Sequence, residues 1–211
     1  MCRMLLALDT ATDAVCTALV ADDGRALAEA VSHVPGGAAR RVLADVDHVL
    51  AAAGASLADL RGIAVGRGPG SFTGVRIGLA TAAALADGAG LPLAGVSTLE
   101  ALRHLNAPGA VAVIDARRRE VFASGPGVPA AAYAPADLAA RLIAGTACVG
   151  DGALRYRAVF EGAGADVPPD GSPLHLPLAR AHAALARFDG ARPEPLYLRE
   201  PDAVPRAEAA C

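Results

Sequence analysis

Apolar positions change period along the chain, and each change marks an element. Met4–Asp9 is an apolar run ending in a carboxylate, and Val15–Val20 follows after a short polar turn. Asp22-Asp23-Gly24 is a turn signal leading into Arg25–Ser32, so the chain opens as a three-stranded antiparallel meander. From Ala38 the period becomes helical. Val42, Val46, Val49, Leu50 and Ala53 form one stripe, Arg41 and Asp45 are spaced as an i,i+4 pair, and Gly54 supplies a stop. Arg61–Val65 then reads as a buried strand and Thr73–Asp87 as a second helix, ended by Gly88 and Gly90. Leu91–Val96 is a further strand and Leu99–Leu105 a short helix. The order βββαβαβ predicts a mixed sheet whose later strands are joined by helical crossovers.

The pattern restarts at Gly109. Val111–Ile114 ends in Asp115 as the first strand ends in Asp9, and Glu120–Ser124 is its expected antiparallel neighbour. Ala147–Gly150 predicts another strand, Glu161–Pro173 a linker, Ala179–Phe188 a last helix and Pro193–Pro205 an extended tail. Two apolar strands that each end in Asp are a weak sign of a duplicated α/β lobe.

Composition narrows the functions open to such a chain. Of 211 residues, 54% are apolar and 19% charged, which fits a folded protein with a substantial core. Aromatics are 3%, lysine is absent, and nineteen arginines face twenty-two acids for a net charge of −3. That balance argues against a strongly nucleic-acid-binding surface. No apolar run approaches the roughly 18 residues that span a bilayer, and no secretory leader is read at Met1–Leu8. Cys2, Cys16, Cys148 and Cys211 are scattered, with no CxxC pair, so a reducing cytoplasm is the expected compartment.

Candidate chemistry concentrates in Gly66-Arg67-Gly68-Pro69-Gly70-Ser71-Phe72-Thr73-Gly74-Val75-Arg76-Ile77-Gly78. Five glycines at a strand-to-helix junction let another group approach the backbone, and Ser71 or Thr73 is placed to cap the helix. Such an end attracts anions, and Arg67 and Arg76 add charge, but the lysine of a Walker loop is missing. A tight turn without ligand is the competing reading. The helix that follows has one charge, Arg76, between Thr73 and Asp87, hence no polar face. Gly74, Gly78 and Ala82 recur every four residues, a smooth strip against which another helix would pack. Its cover is either the chain's own fold or a partner subunit.

Among His33, His48, His104, His175 and His182 no two are four apart, so a helical two-histidine metal site is not expected and locally bonded or solvent-facing rings are. Asp9 and Asp115 read either as strand-end acids bonding turn amides or as the carboxylates of a phosphotransferase. Asp9-Thr10-Ala11-Thr12 lacks the glycines that admit a triphosphate.

Taken together, Leu6-Ala7-Leu8-Asp9-Thr10-Ala11-Thr12 and Gly68-Pro69-Gly70-Ser71-Phe72-Thr73-Gly74-Val75-Arg76 resemble the TsaB (YeaZ) family. Val96-Ser97-Thr98-Leu99-Glu100-Ala101-Leu102, Ile114-Asp115-Ala116-Arg117-Arg118 and Pro195-Leu196-Tyr197-Leu198-Arg199 follow its pattern in the same order. The resemblance implies an α/β, actin-like and sugar-kinase-like (ribonuclease H-like) fold of two related lobes, set at 1–106 and 107–211. It implies a non-catalytic subunit that binds a TsaD-like catalytic homologue in forming threonylcarbamoyladenosine in tRNA, with a TsaE-like ATPase joining a larger complex. tRNA is then met indirectly, ATP or ADP enters only in the complex, and the chain pairs with its own copy when the partner is missing. On this reading the partner interface comprises Val42, Val46, Gly74, Ile77, Gly78, Thr81, Ala82 and Leu85. Asp9, Thr10, Gly68, Gly70, Ser71, Thr73 and Arg76 are the candidates for contact with an anion or nucleotide, and no catalytic or metal-ligating residue is assigned. The family's His-Ser-Glu near the first helix is replaced by Ala38-Ala39-Arg40. The alternative is an ATPase or phosphotransferase of the same fold using Asp9.

Overall fold

The computed structural model describes residues 3–104 and 109–199. Cys2, Cys211, the end of the third predicted helix at Leu105, the lobe boundary between 106 and 107 and the tail beyond Arg199 lie outside them.

The opening meander forms as the apolar runs and short turns predict. Strands β1 (Met4–Asp9), β2 (Ala14–Ala21) and β3 (Ala26–His33) pair antiparallel, and β4 (Leu60–Gly66) and β5 (Leu93–Val96) add in parallel beyond β1. The sheet order is β3-β2-β1-β4-β5. Helices α1 (Ala38–Ala52) and α2 (Phe72–Ala89) lie on one face of it. There Leu6, Leu8, Val15, Leu19, Ile63 and Val65 meet the α1 stripe Val42, Val46, Val49 and Leu50, together with Ala82 and Ala86 of α2. The alternate strand positions Leu5, Ala7, Cys16, Ala18 and Ala64 face the other way. They are covered by Ala179 of α7 (Ala179–Leu185) and by Phe188. A helix far along the chain thus closes the back of the first sheet.

A second sheet comprises β6 (Val111–Arg117), β7 (Glu120–Gly125), β8 (Val128–Tyr133) and β9 (Cys148–Val149), in the order β8-β7-β6-β9. Each sheet carries an antiparallel hairpin on one side of its Asp-ended strand and a parallel strand on the other. The duplication hinted at by Asp9 and Asp115 is therefore topological. Helix α3 (Thr98–His104) packs Leu99 and Leu102 against Ala112, Ile114 and Phe122. On the other face, Leu138 of α4 (Pro135–Ala139), Ala153 of α5 (Asp151–Arg155) and Phe160 of α6 (Arg157–Gly162) complete a core with Val111, Val113 and Val121.

β8, α4, α5 and α6 escape the sequence reading. Helices of five or six residues are too short to show a period, and the β8 segment VPAAAY mixes proline with alanine. The predicted linker is irregular for most of its length, except that α6 runs to Gly162 and Asp166 bridges Ala147 beside β9. No helix among the described residues is long and apolar enough to cross a membrane.

Candidate functional site

The glycine-rich segment leaves β4 and wraps the turn that follows β1. Side-chain carbons built at Gly70 and Gly74 would overlap the carbonyl oxygens of Ala11 and Thr10, and one at Gly78 would overlap Thr10 Oγ1. Thr10 Oγ1 donates to Gly74 O at 2.7 Å, and Ser71 N donates to Ala11 O at 2.7 Å. The glycines thus let the first turn of α2 sit directly on the end of β1. Ser71 caps the helix, its Oγ accepting from Gly74 N at 3.3 Å, and Gly90 ends it with φ 65°.

This packing corrects part of the expected partner interface. Gly74 and Gly78 sit against Thr10 in the turn after β1, and Ala82 is buried in the core with the α1 stripe, so the strip of small residues is covered by the chain's own fold. Val42 and Val46 are likewise buried in the core between α1 and the sheet. Ile77, Thr81 and Leu85 are half-buried, while Thr73, Ala80, Ala84 and Gly88 are exposed. Between Arg76 and Asp87, α2 therefore presents an uncharged surface of small residues outward.

Asp9 is 0% exposed. Its Oδ1 accepts from Ala11 N at 2.7 Å and its Oδ2 from Thr98 Oγ1 at 2.7 Å. His182 Nε2 lies 2.8 Å from the same Oδ2, off the line of a hydrogen bond. Gly66 makes room for the carboxylate, since any side chain there would overlap it. Both oxygens are thus engaged within the fold, and Thr10 is equally buried. The strand-end reading describes Asp9, and Asp115 repeats it by accepting from Arg117 N at 3.0 Å. His182 is not solvent-facing, and nothing in its sequence spacing marks it; only its place in an alanine-rich helix sets it apart. His175 is also buried, its Nδ1 accepting from Gly150 N at 3.1 Å. Asp9→Asn keeps the acceptor for Ala11 but sets an amide against the Thr98 hydroxyl and His182. The expected loss is about 2 kcal/mol of stability in urea unfolding.

A cleft of about 620 Å³ opens beside this sealed turn. Its walls are the start of α2 (Pro69–Thr73, with Val75 and Arg76), the hairpin tip at Asp115–Arg118, Phe122, and the segment Leu196–Arg199. Of the anion-contact candidates, Gly70, Ser71, Thr73 and Arg76 line it; Asp9, Thr10 and Gly68 do not. Arg117, Arg118 and Arg119 take φ of 61°, 52° and 63°. Left-handed backbone costs a side chain about 1 kcal/mol or more per residue, so the arginine run is a strained turn.

The segment Arg192–Arg199 crosses from one sheet's side to the other. Arg192 pairs with Asp87 at 3.0 Å, Leu196 N donates to Arg67 O at 2.7 Å, and Arg199 pairs with Glu120. Gly95 is required here, because a side chain would run into Pro193. Tyr197 stacks on Phe72 with ring centroids 5.7 Å apart. A second tie joins the two sheets: Arg117 pairs with Asp13 at 3.1 Å and with Asp115 at 3.2 Å, and Arg155 also holds Asp115 at 3.1 Å.

Asp151, whose Oδ1 accepts from Asp115 N at 3.0 Å, is pushed up to about 6, chiefly by burial. The folded state then holds its proton more tightly than the unfolded state. This contribution is fully present below pH 3.8 and is lost as pH rises through about 6. Asp151→Asn retains the acceptor without the buried charge. At pH 8 it is expected to be more stable than the unaltered chain by on the order of 2 kcal/mol, with no gain at pH 4, as read by urea midpoints at the two pH values.

Comparison with known proteins bears on this arrangement. The family model for TsaD, tRNA N6-adenosine threonylcarbamoyltransferase, matches residues 35–129. The tRNA threonylcarbamoyladenosine biosynthesis protein TsaB of Escherichia coli is 45% identical over 123 residues, which cover 56% of this chain and 52% of that protein. The match thus spans about half the length of that relative. A Mycobacterium tuberculosis protein described as uncharacterized is 38% identical over 214 residues, covering 96% of this chain and 95% of its own. The crystal structure of a Pseudomonas aeruginosa protein with similarity to peptidase YeaZ superimposes with a TM-score of 0.72 at 30% identity. It covers 93% of this chain and 100% of that one. The architecture is the actin-like, ribonuclease H-like α/β fold of two related lobes.

Proposed function

The chain belongs to the TsaB (YeaZ) family, and from that premise we propose that it is a non-catalytic subunit serving threonylcarbamoyladenosine formation in tRNA. In this role it binds and orders a TsaD-like catalytic homologue, a TsaE-like ATPase joins the larger assembly, and the partner holds the RNA. The observation that carries the reading is the outward surface of α2 between Arg76 and Asp87, where Ala80 and Ala84 are exposed with no charge between them. Small uncharged residues on an exposed helix face allow close approach of another helix and leave little to desolvate. The engaged carboxylate of Asp9 supports the same reading over a phosphotransferase, because a magnesium ion would have to displace Ala11 N and Thr98 Oγ1.

The test is a reconstituted tRNA modification assay with this chain omitted and restored, alongside copurification with a TsaD-like subunit. Restored modification together with a complex is the expected outcome. Full modification without this chain, or the lack of any complex, would sink the reading. If the isolated chain sediments as a dimer that dissolves on adding the partner, both associations use this one face.

A further inference from the structure

Arg76 is held in place without a carboxylate. Its guanidinium carbon lies 3.9 Å from the centre of the Phe72 ring, and its Nε donates to Tyr197 Oη at 3.2 Å. Among the described residues neither terminal nitrogen of Arg76 has an acceptor. The neighbouring cations differ: Arg117 is tied to Asp13 and Asp115, and Arg199 to Glu120. A guanidinium fixed by a ring face and a hydroxyl keeps its charge and its two-pronged donor edge for an outside acceptor. It is also preorganised, because Tyr197 arrives on the Arg192–Arg199 segment that already spans the two sheets. The cleft it lines, at about 620 Å³, is the size of a small-molecule site. Ala116, Phe122 and Leu198 give that cleft apolar lining. Phe72 is 56% exposed.

We propose that this cleft is a binding site for a phosphate ester, with the phosphate gripped by the terminal nitrogens of Arg76 and the rest of the ligand lying against Phe122 and Leu198. A single carboxylate would satisfy Arg76 alone. The hydroxyls of Ser71 and Thr73 line the same cleft, and they supply the further donors that a phosphate's third oxygen requires. The site lies outside the sealed turn at Asp9 and Thr10. It goes beyond the subunit role, and the chemistry is shared by a free nucleotide and by a nucleotide of single-stranded RNA.

Inorganic phosphate, AMP and a single-stranded RNA hexamer are titrated into the full chain, and the amide resonances of Gly70–Arg76 are followed by NMR. Saturable shifts with AMP and the hexamer are expected, with Arg76→Gln weakening both by about tenfold. Tyr197→Phe keeps the ring stack but removes the hydroxyl that fixes the guanidinium, and is expected to weaken both by about threefold. A hexamer that binds at least ten times more tightly than AMP assigns the site to RNA; equal affinities assign it to free nucleotides. The proposal is overturned if no probe shifts these amides, or if Arg76→Gln binds as the unaltered chain does. Should Arg76→Gln lose its folded spectrum, Thr73→Val gives the same reading from the first turn of α2. Complex formation with a TsaD-like subunit is measured separately, so its failure and the failure of this site are distinguishable.

Discussion

A Gly74→Ala chain is expected to lose about 4 kcal/mol or more of stability, read as a collapse of the urea midpoint. The added carbon would overlap the carbonyl oxygen of Thr10, a backbone atom that no rotamer change can move away. To accommodate it, the first turn of α2 must lift from β1. That breaks the bond from Thr10 Oγ1 to Gly74 O and opens the seat of Ala82 and Ala86 in the core. The same exchange at Gly88 is the control. Nothing lies within 4 Å of a side-chain carbon there, and alanine is the better helix former, so a gain of up to about 1 kcal/mol is expected. Equal effects at the two positions would show that Gly74 is not a close-approach site.

An Ala84→Arg chain is expected to fold as before and to lose its partner. Ala84 is exposed at the centre of the uncharged face of α2. A guanidinium there meets solvent in the free chain and a dry, unpaired environment in a complex. Such burial costs about 3 kcal/mol or more, on the order of a hundredfold in affinity. The check is the dissociation constant for a TsaD-like subunit, with the melting temperature measured on the same preparation. Unchanged affinity would move the interface away from this face. Ala82→Arg would not serve, since Ala82 is fully buried in its own core and that change tests folding.

These two substitutions separate what the sequence could and could not carry. The short apolar runs with their turns and the α1 stripe are local signals, and those elements form where the local signals place them. The absence of charge on α2 was equally plain. Which side of α2 the strip Gly74, Gly78, Ala82 would face was not legible, because small residues suit close approach to any neighbour. For Gly74 and Gly78 the neighbour proved to be Thr10, sixty-four positions from Gly74. The contacts of His182 and Tyr197 were not legible for a related reason. Each acts on a residue brought to it by the fold, Asp9 for one and Phe72 with Arg76 for the other. The few aromatic residues are also unevenly placed, in a way composition does not reveal: three of the seven line one cleft.

The return of α7 to the first sheet bears on synthesis at the ribosome. Strands β1 to β5 are complete once Val96 has emerged, yet one face of them stays uncovered until Ala179 and Phe188 follow. Until then Cys16 and Ala18 face water and Asp9 lacks His182. A nascent chain halted after Val96 is therefore expected to be a chaperone client. Release of that chaperone should coincide with the emergence of α7, and not with completion of the sheet.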